Sequence, residues 1–102
     1  MRYYISGPIT GISDYKERFQ MAAEILKQYG HDYINPAELD KVYPDIKWNQ
    51  AMLLDIALLG FADGIFFLPG AGKSEGCRHE YNFAKSKGLS IIGEEEFNGT
   101  GD

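Results

Sequence analysis

The sequence predicts a small doubly wound α/β domain, with a parallel sheet of four to five strands flanked by helices. Three observations predict it. Short strand-like runs alternate with helical stripes along the chain, in the order β-α-β-α-β-α-β. The run Asp63-Gly64-Ile65-Phe66-Phe67-Leu68 is apolar almost without alternation, as in a strand covered on both faces. Gly-rich loops follow the first and third strands, at the carboxyl ends where such sheets bind ligands.

Arg2-Tyr3-Tyr4-Ile5 reads as the first strand, stopped by Ser6-Gly7-Pro8, and the chain to Gly11 reads as a loop. Asp14 is the expected N-cap of the first helix, with Glu17 as its capping-box partner. Tyr15, Phe19, Ala22, Leu26 and Tyr29 form one helical stripe, and Gly30 closes it. His31-Asp32-Tyr33-Ile34 reads as the second strand, ended by Asn35-Pro36, and a polar connection runs to about Pro44. Trp48, Met52, Ile56 and Leu59 form the second stripe, with Gly60 as its stop. Residues 63–68 are the third strand. After the loop Pro69-Gly70-Ala71-Gly72-Lys73, Ser74 caps a third helix reaching about Lys87, which Gly88 ends. Leu89-Ser90-Ile91-Ile92 is the fourth strand. The order gives right-handed crossovers and a Rossmann/flavodoxin-like sheet. One domain is expected over residues 1–97, and the polar, Gly-rich tail 98–102 is expected to fray.

The chain has 102 residues and a formal net charge of −5, which suits one domain and argues against binding a nucleic-acid polymer. Backbone N–H groups can still hold a small phosphorylated ligand. A domain this small gains from oligomerisation. One cysteine excludes an internal disulfide and a multi-cysteine zinc site, and neither His31 nor His79 has metal-ligand spacing. No signal peptide or membrane-spanning run is visible, so a soluble cytoplasmic protein with no membrane partner is expected.

Glu80 is the most informative residue. It lies beside the inward stripe Cys77, Tyr81, Ala84 and Gly88, in a helix that starts from a Gly-rich loop. Two readings stay open: an edge acid, exposed or paired with Arg2 or Arg78, and a positioned carboxylate facing the crevice as nucleophile or base. Asp55 poses the same choice on the second helix. Two carboxylates across one crevice suit glycosidic-bond chemistry. Gly72-Lys73-Ser74 fails as a phosphate-loop motif, because Phe67 stands where its first glycine belongs. In Ser6-Gly7-Pro8-Ile9-Thr10-Gly11 the glycines admit a ligand and the hydroxyls can donate to sugar or phosphate oxygens; a plain turn is the other reading. Cys77 reads as a small core residue and Phe66-Phe67 as core strand.

Tyr4-Ile5-Ser6-Gly7-Pro8-Ile9-Thr10-Gly11, Asp55-Ile56-Ala57-Leu58-Leu59, Ala62-Asp63-Gly64 and Ser74-Glu75-Gly76 followed by Glu80 carry a resemblance. In that order and spacing they resemble the nucleoside 2-deoxyribosyltransferase superfamily. That group includes the 2'-deoxynucleoside 5'-phosphate N-hydrolases and short, often phage-encoded domains, which share the opening motif. The resemblance covers roughly residues 2–92.

The resemblance implies that Glu80 is the nucleophile attacking C1' of the sugar, that Tyr4 orients it, and that Asp55 contacts the base or assists its protonation. It places Ser74 on the 5'-phosphate and Gly76 close to the ligand. It implies a nucleoside or nucleotide substrate, no metal or redox cofactor, and a homodimer in which a neighbour completes each pocket. Two positions depart from the pattern: Arg78 stands where many members have glycine, and Thr10 where some phosphate-dependent members have arginine. A nucleotide-binding or sequestering domain without turnover is the alternative expectation.

Overall fold

Strand β1 (Arg2–Ser6) sits in the middle of the sheet, with β2 (Asp32–Ile34) on one side and β3 (Gly64–Phe67) on the other. The fourth strand, β4 (Ser90–Ile92), pairs with β3, so the order is β2-β1-β3-β4 and every pairing is parallel. The computed structural model describes residues 1–98, apart from the side chain of the residue at position 40. Of the expected frayed tail, residues 99–102 lie outside the described residues.

Helix α1 (Tyr15–Gln28) covers one face of the sheet, and α3 (Trp48–Leu59) and α4 (Glu75–Lys87) cover the other. The period-2 alternation of β1 feeds both layers. Tyr3 and Ile5 pack with Phe19, Ala22, Ala23 and Leu26 of α1. Tyr4 packs with Leu59, Cys77 and Ala84 on the opposite face, with Ile65 and Phe67 of β3. The Rossmann/flavodoxin-like expectation holds, with four strands. The chain leaves β1 toward β2 and returns to β3. Its switch point therefore lies beyond the carboxyl ends of β1 and β3, where ligands enter such sheets.

Several boundaries and caps differ from the sequence-based expectation. Ser6 belongs to β1 rather than to the loop after it, because its backbone pairs with Phe67. Asp14 caps α1 without a side-chain hydrogen bond; its carboxylate pairs with Arg18 Nε at 3.0 Å, so no capping box forms with Glu17. Tyr29 is 77% exposed, because α1 ends before its stripe completes another turn. The connection after β2 is partly helical. Asn35 accepts from the Ala37 N–H and starts a 3-10 turn, Pro36–Glu38, which runs into α2 (Leu39–Val42). At α4 the expected caps are present: Ser74 Oγ accepts from the Cys77 N–H, and Gly88 turns the chain at φ +68°.

After β4 a 3-10 turn, Glu94–Phe97, packs back on α4 and β3. Phe97 stacks on Tyr81 with centroids 4.2 Å apart and meets Phe67 edge-on. Glu96 accepts from the Gly70 N–H at 2.8 Å, tying this turn to the loop that leads into α4. Among the described residues no helix is long and apolar enough to cross a membrane.

Candidate active site

A cavity of about 210 Å³ opens beyond the carboxyl ends of β1 and β3. Its floor is the end of β1, and its walls are the loop after β1 and helices α3 and α4. A strand presents alternate side chains to the same face, so Tyr4 and Ser6 point together toward α4. Glu80 lies one turn inside α4, on the stripe with Cys77 and Ala84, and meets both hydroxyls.

The contacts are short. Tyr4 Oη donates to Glu80 Oε2 at 2.5 Å, and Ser6 Oγ donates to Glu80 Oε1 at 2.6 Å. Glu80 is 5% exposed. It pairs with neither arginine considered from sequence: Arg2 pairs with Asp32, and Arg78 Nε donates to the Gly72 carbonyl. Arg78 is exposed, and its side chain does not narrow the cavity.

Burial pushes the Glu80 carboxyl up from its ordinary 4.5 to about 7. The Ser6 and Tyr4 hydrogen bonds pull it down, and the nearby charge of Asp55 pushes it up again. The same burial, with the charges of Glu80 and Asp55, holds the Tyr4 hydroxyl well above its usual range, so it stays a donor. Burial likewise raises the Cys77 thiol to about 11, which fits a packing residue and not a nucleophile. A carboxylate with two fixed donors and an open cavity in front of it can attack an electrophilic carbon or take a proton.

The other sequence-predicted residues fall at different distances from this centre. Asp55 lines the cavity from α3, close enough for its charge to act on Glu80 and Tyr4. Ser74 and Gly76 line it from the start of α4. A Cβ at Gly76 would lie 3.2 Å from Met52 Sδ, so the glycine lets α3 and α4 approach here. Gly7 is tight for a similar reason, since a Cβ would stand 2.7 Å from Leu68 Cδ1 and push that side chain aside. Ile9 and Thr10 line the outer edge. Gly11 does not reach the cavity; at φ +78° it turns the chain out of the loop. Ser6, expected to face sugar or phosphate oxygens, gives its proton to Glu80 instead.

Sequence reasoning missed Phe19, Pro36, Ile46, Trp48, Ala51 and Met52 as lining residues. The parity of Tyr4 and Ser6 on β1 was the available signal for the Ser6–Glu80 contact. No sequence signal brought Pro36 and Ile46 to the cavity, because the packing of the connection after β2 places them. Among the described residues no group of three or more His, Cys, Asp or Glu could hold a metal.

Fold and site together define a doubly wound α/β domain with a buried, hydroxyl-clamped carboxylate at its switch point. The chain belongs to the DUF4406 family, described as a domain of unknown function, whose model matches residues 1–93. No curated protein and no solved structure matches it.

Proposed function

We propose that the protein cleaves the N-glycosidic bond of a deoxynucleoside or its 5'-monophosphate, with Glu80 as nucleophile. One observation carries the reading. A carboxylate is buried at the cavity floor, held by two hydroxyl donors, with a second acid across from it. The sequence likeness to the nucleoside 2-deoxyribosyltransferases supports the same assignment.

In the first step the ionised Glu80 attacks C1'. The bond from C1' to the base nitrogen breaks, and its electron pair leaves with the base. A proton from Asp55 or from water neutralises that nitrogen. Positive charge builds at C1' before the new bond is complete, and the buried carboxylate stabilises it in a site of low polarity. Water then attacks C1' of the glycosyl ester, gives its proton to Asp55 or to solvent, and releases the sugar and ionised Glu80. A second base in place of water gives base exchange. Tyr4 and Ser6 fix the carboxylate's orientation, so little reorganisation is left for the transition state.

Ser74 favours a monophosphate. Its Oγ accepts from the Cys77 N–H at the N-terminus of α4, and its hydroxyl can turn to donate to a phosphate oxygen. The exposed outer face of α3 supports a second copy as partner. Leu53 is 75% exposed, Val42, Tyr43 and Leu54 line a shallow groove with it, and Phe61, just past the end of the helix, is 72% exposed. Helix α3 bears no charge apart from Asp55, which faces the cavity, and Asp45 is the charged residue in the groove beside Leu53 and Leu54, so two acidic chains can meet there with little repulsion. A cytoplasmic location belongs to the same reading, since nucleotide substrates and a free thiol suit that compartment.

Incubation with each deoxynucleoside monophosphate, followed by chromatography for free base, tests the proposal. Base release that needs Glu80 supports it. Release that persists in Glu80→Ala removes the nucleophile assignment. Binding of the monophosphates without release leaves a nucleotide-binding domain of the same fold.

A further inference from the structure

The outer end of the cavity carries a side chain that the chemistry above does not use. Trp48 opens α3 and lines the cavity, yet it is 52% exposed. At helical spacing it shares a stripe with Met52, Asp55 and Leu59. Leu59, at the far end of that stripe, is fully buried, and Met52 and Asp55 are half-buried. Trp48 comes last, where the helix overhangs the cavity mouth.

Seven residues of helix put Trp48 about 10 Å along the axis from Asp55. It lies opposite the outer stripe of Leu53, Leu54 and Ala57, so a partner docked there does not cover it. The indole packs edge-on against His79, centroids 6.3 Å apart at 62°, which braces the ring from the α4 side. Pro36, Ile46 and Met52 line the cavity with it, and none of these side chains carries charge.

The cavity is therefore divided. Glu80 holds the Tyr4 and Ser6 hydroxyls at one end, while Trp48 and Met52 line the wall from the first turns of α3, on the stripe that also carries Asp55. A nucleoside has the same division between its sugar and its base. Stacking on an exposed indole removes apolar surface from both partners and needs no hydrogen bond to the base edge. We infer that Trp48 is a stacking platform for a heteroaromatic ring, receiving the base while Glu80 receives the sugar carbon. The identity of the ligand rests on the glycosidic reading above; the aromatic platform rests on the geometry of Trp48.

Trp48 is the chain's single tryptophan, so its fluorescence reports this place alone. The test titrates wild-type and Glu80→Gln protein with deoxynucleoside monophosphates, free adenine and deoxyribose 5-phosphate, following emission and binding heat. The ring-bearing ligands should quench Trp48, and the sugar phosphate should bind without quenching. Trp48→Ala should weaken monophosphate binding about tenfold and leave the sugar phosphate within about twofold, with Trp48→Phe recovering most of the loss. Unchanged emission on binding of a ring-bearing ligand overturns the inference. So does an equal loss of both ligand types in Trp48→Ala. If adenine quenches Trp48 while wild type releases no base, the glycosidic reading fails and the platform stands. If Trp48→Ala cleaves with unchanged KM, the platform fails and the glycosidic reading stands.

Discussion

Helix α4 hides a charge, and helix α3 displays its leucines. On α4 the surface is polar, as expected, but Glu80 sits among Cys77 and Ala84 inside the protein. On α3 the sequence is apolar nearly all round, yet Leu59 is its one fully buried residue and Leu53 faces solvent. A helix apolar on every side is normally buried. A carboxylate is normally solvated unless something holds it. Each helix breaks the rule that the other obeys. The departure on α4 faces the cavity and motivates the proposed nucleophile, and the departure on α3 faces solvent and motivates the proposed dimer. The cavity lies between them, bounded by the stripes on which both carry their acids.

The largest expected effect comes from removing the charge. Glu80→Gln should lower base release by roughly a thousandfold or more and leave the fold intact. It should also stabilise the protein at neutral and alkaline pH. The folded carboxyl titrates at about 7 and the unfolded one near 4.5, so the folded chain holds its proton longer. That contribution to stability is full below about pH 4.5, fades as pH rises toward 7 and is gone above it. The difference corresponds to roughly 3 kcal/mol. Denaturant melts of both proteins from pH 4 to pH 9 check it: wild type should lose stability across this window, and Glu80→Gln should lose much less. A variant less stable than wild type at pH 8 would mean that Glu80 is structural, and the contrast with α3 would disappear.

The next effect sharpens the role of the clamp. Tyr4→Phe removes a hydrogen bond that favours the ionised carboxylate, so the Glu80 pKa should move upward. In wild type, base release should rise through pH 7 and level off above it, because the nucleophile must be ionised. In Tyr4→Phe that rise should shift to higher pH, with activity at neutral pH down about ten- to a hundredfold. A pH–rate profile of each protein reads both quantities. An unshifted profile would detach Tyr4 from Glu80.

On α3 the corresponding test is Leu53→Lys combined with Phe61→Lys. These side chains are already exposed, so monomer stability should change by about 0.5 kcal/mol or less each. Sedimentation should show a dimer in wild type and a monomer in the variant. A wild-type chain that is monomeric at high concentration would remove the outward half of the comparison. The smallest effect is expected at Arg78→Ala. Its guanidinium holds the Gly72 carbonyl outside the cavity, so ligand affinity should stay within about threefold.

The strands and the three long helices were legible because their periods were clean. Alternation, a continuous apolar run and the caps Ser74 and Gly88 each act over a few residues, and nearby sequence decides them. The capping box at Asp14 failed because Arg18 competes for the same carboxylate. The short helix Leu39–Val42 went unread because its stretch is polar and its start depends on Asn35 folding back on Ala37. Glu80 could be singled out as an acid beside an apolar stripe. Whether it faced Arg2, Arg78 or Tyr4 could not be read from that stripe.

By itself, then, the sequence determined the order of elements, the parallel sheet and the candidate acids on two helices. Those follow from periodicity and from turn chemistry within a few residues. Tertiary structure alone decided that Ser6 joins Tyr4 on Glu80 in one buried hydrogen-bonded centre, across more than seventy residues of chain; the resemblance had implied only the Tyr4 contact. It also decided that Trp48 stands open at the cavity mouth while Leu53 looks away from it. The reason is physical: a pKa, a clamp or an exposed ring depends on what lies across the gap, and only packing brings distant segments to its two sides.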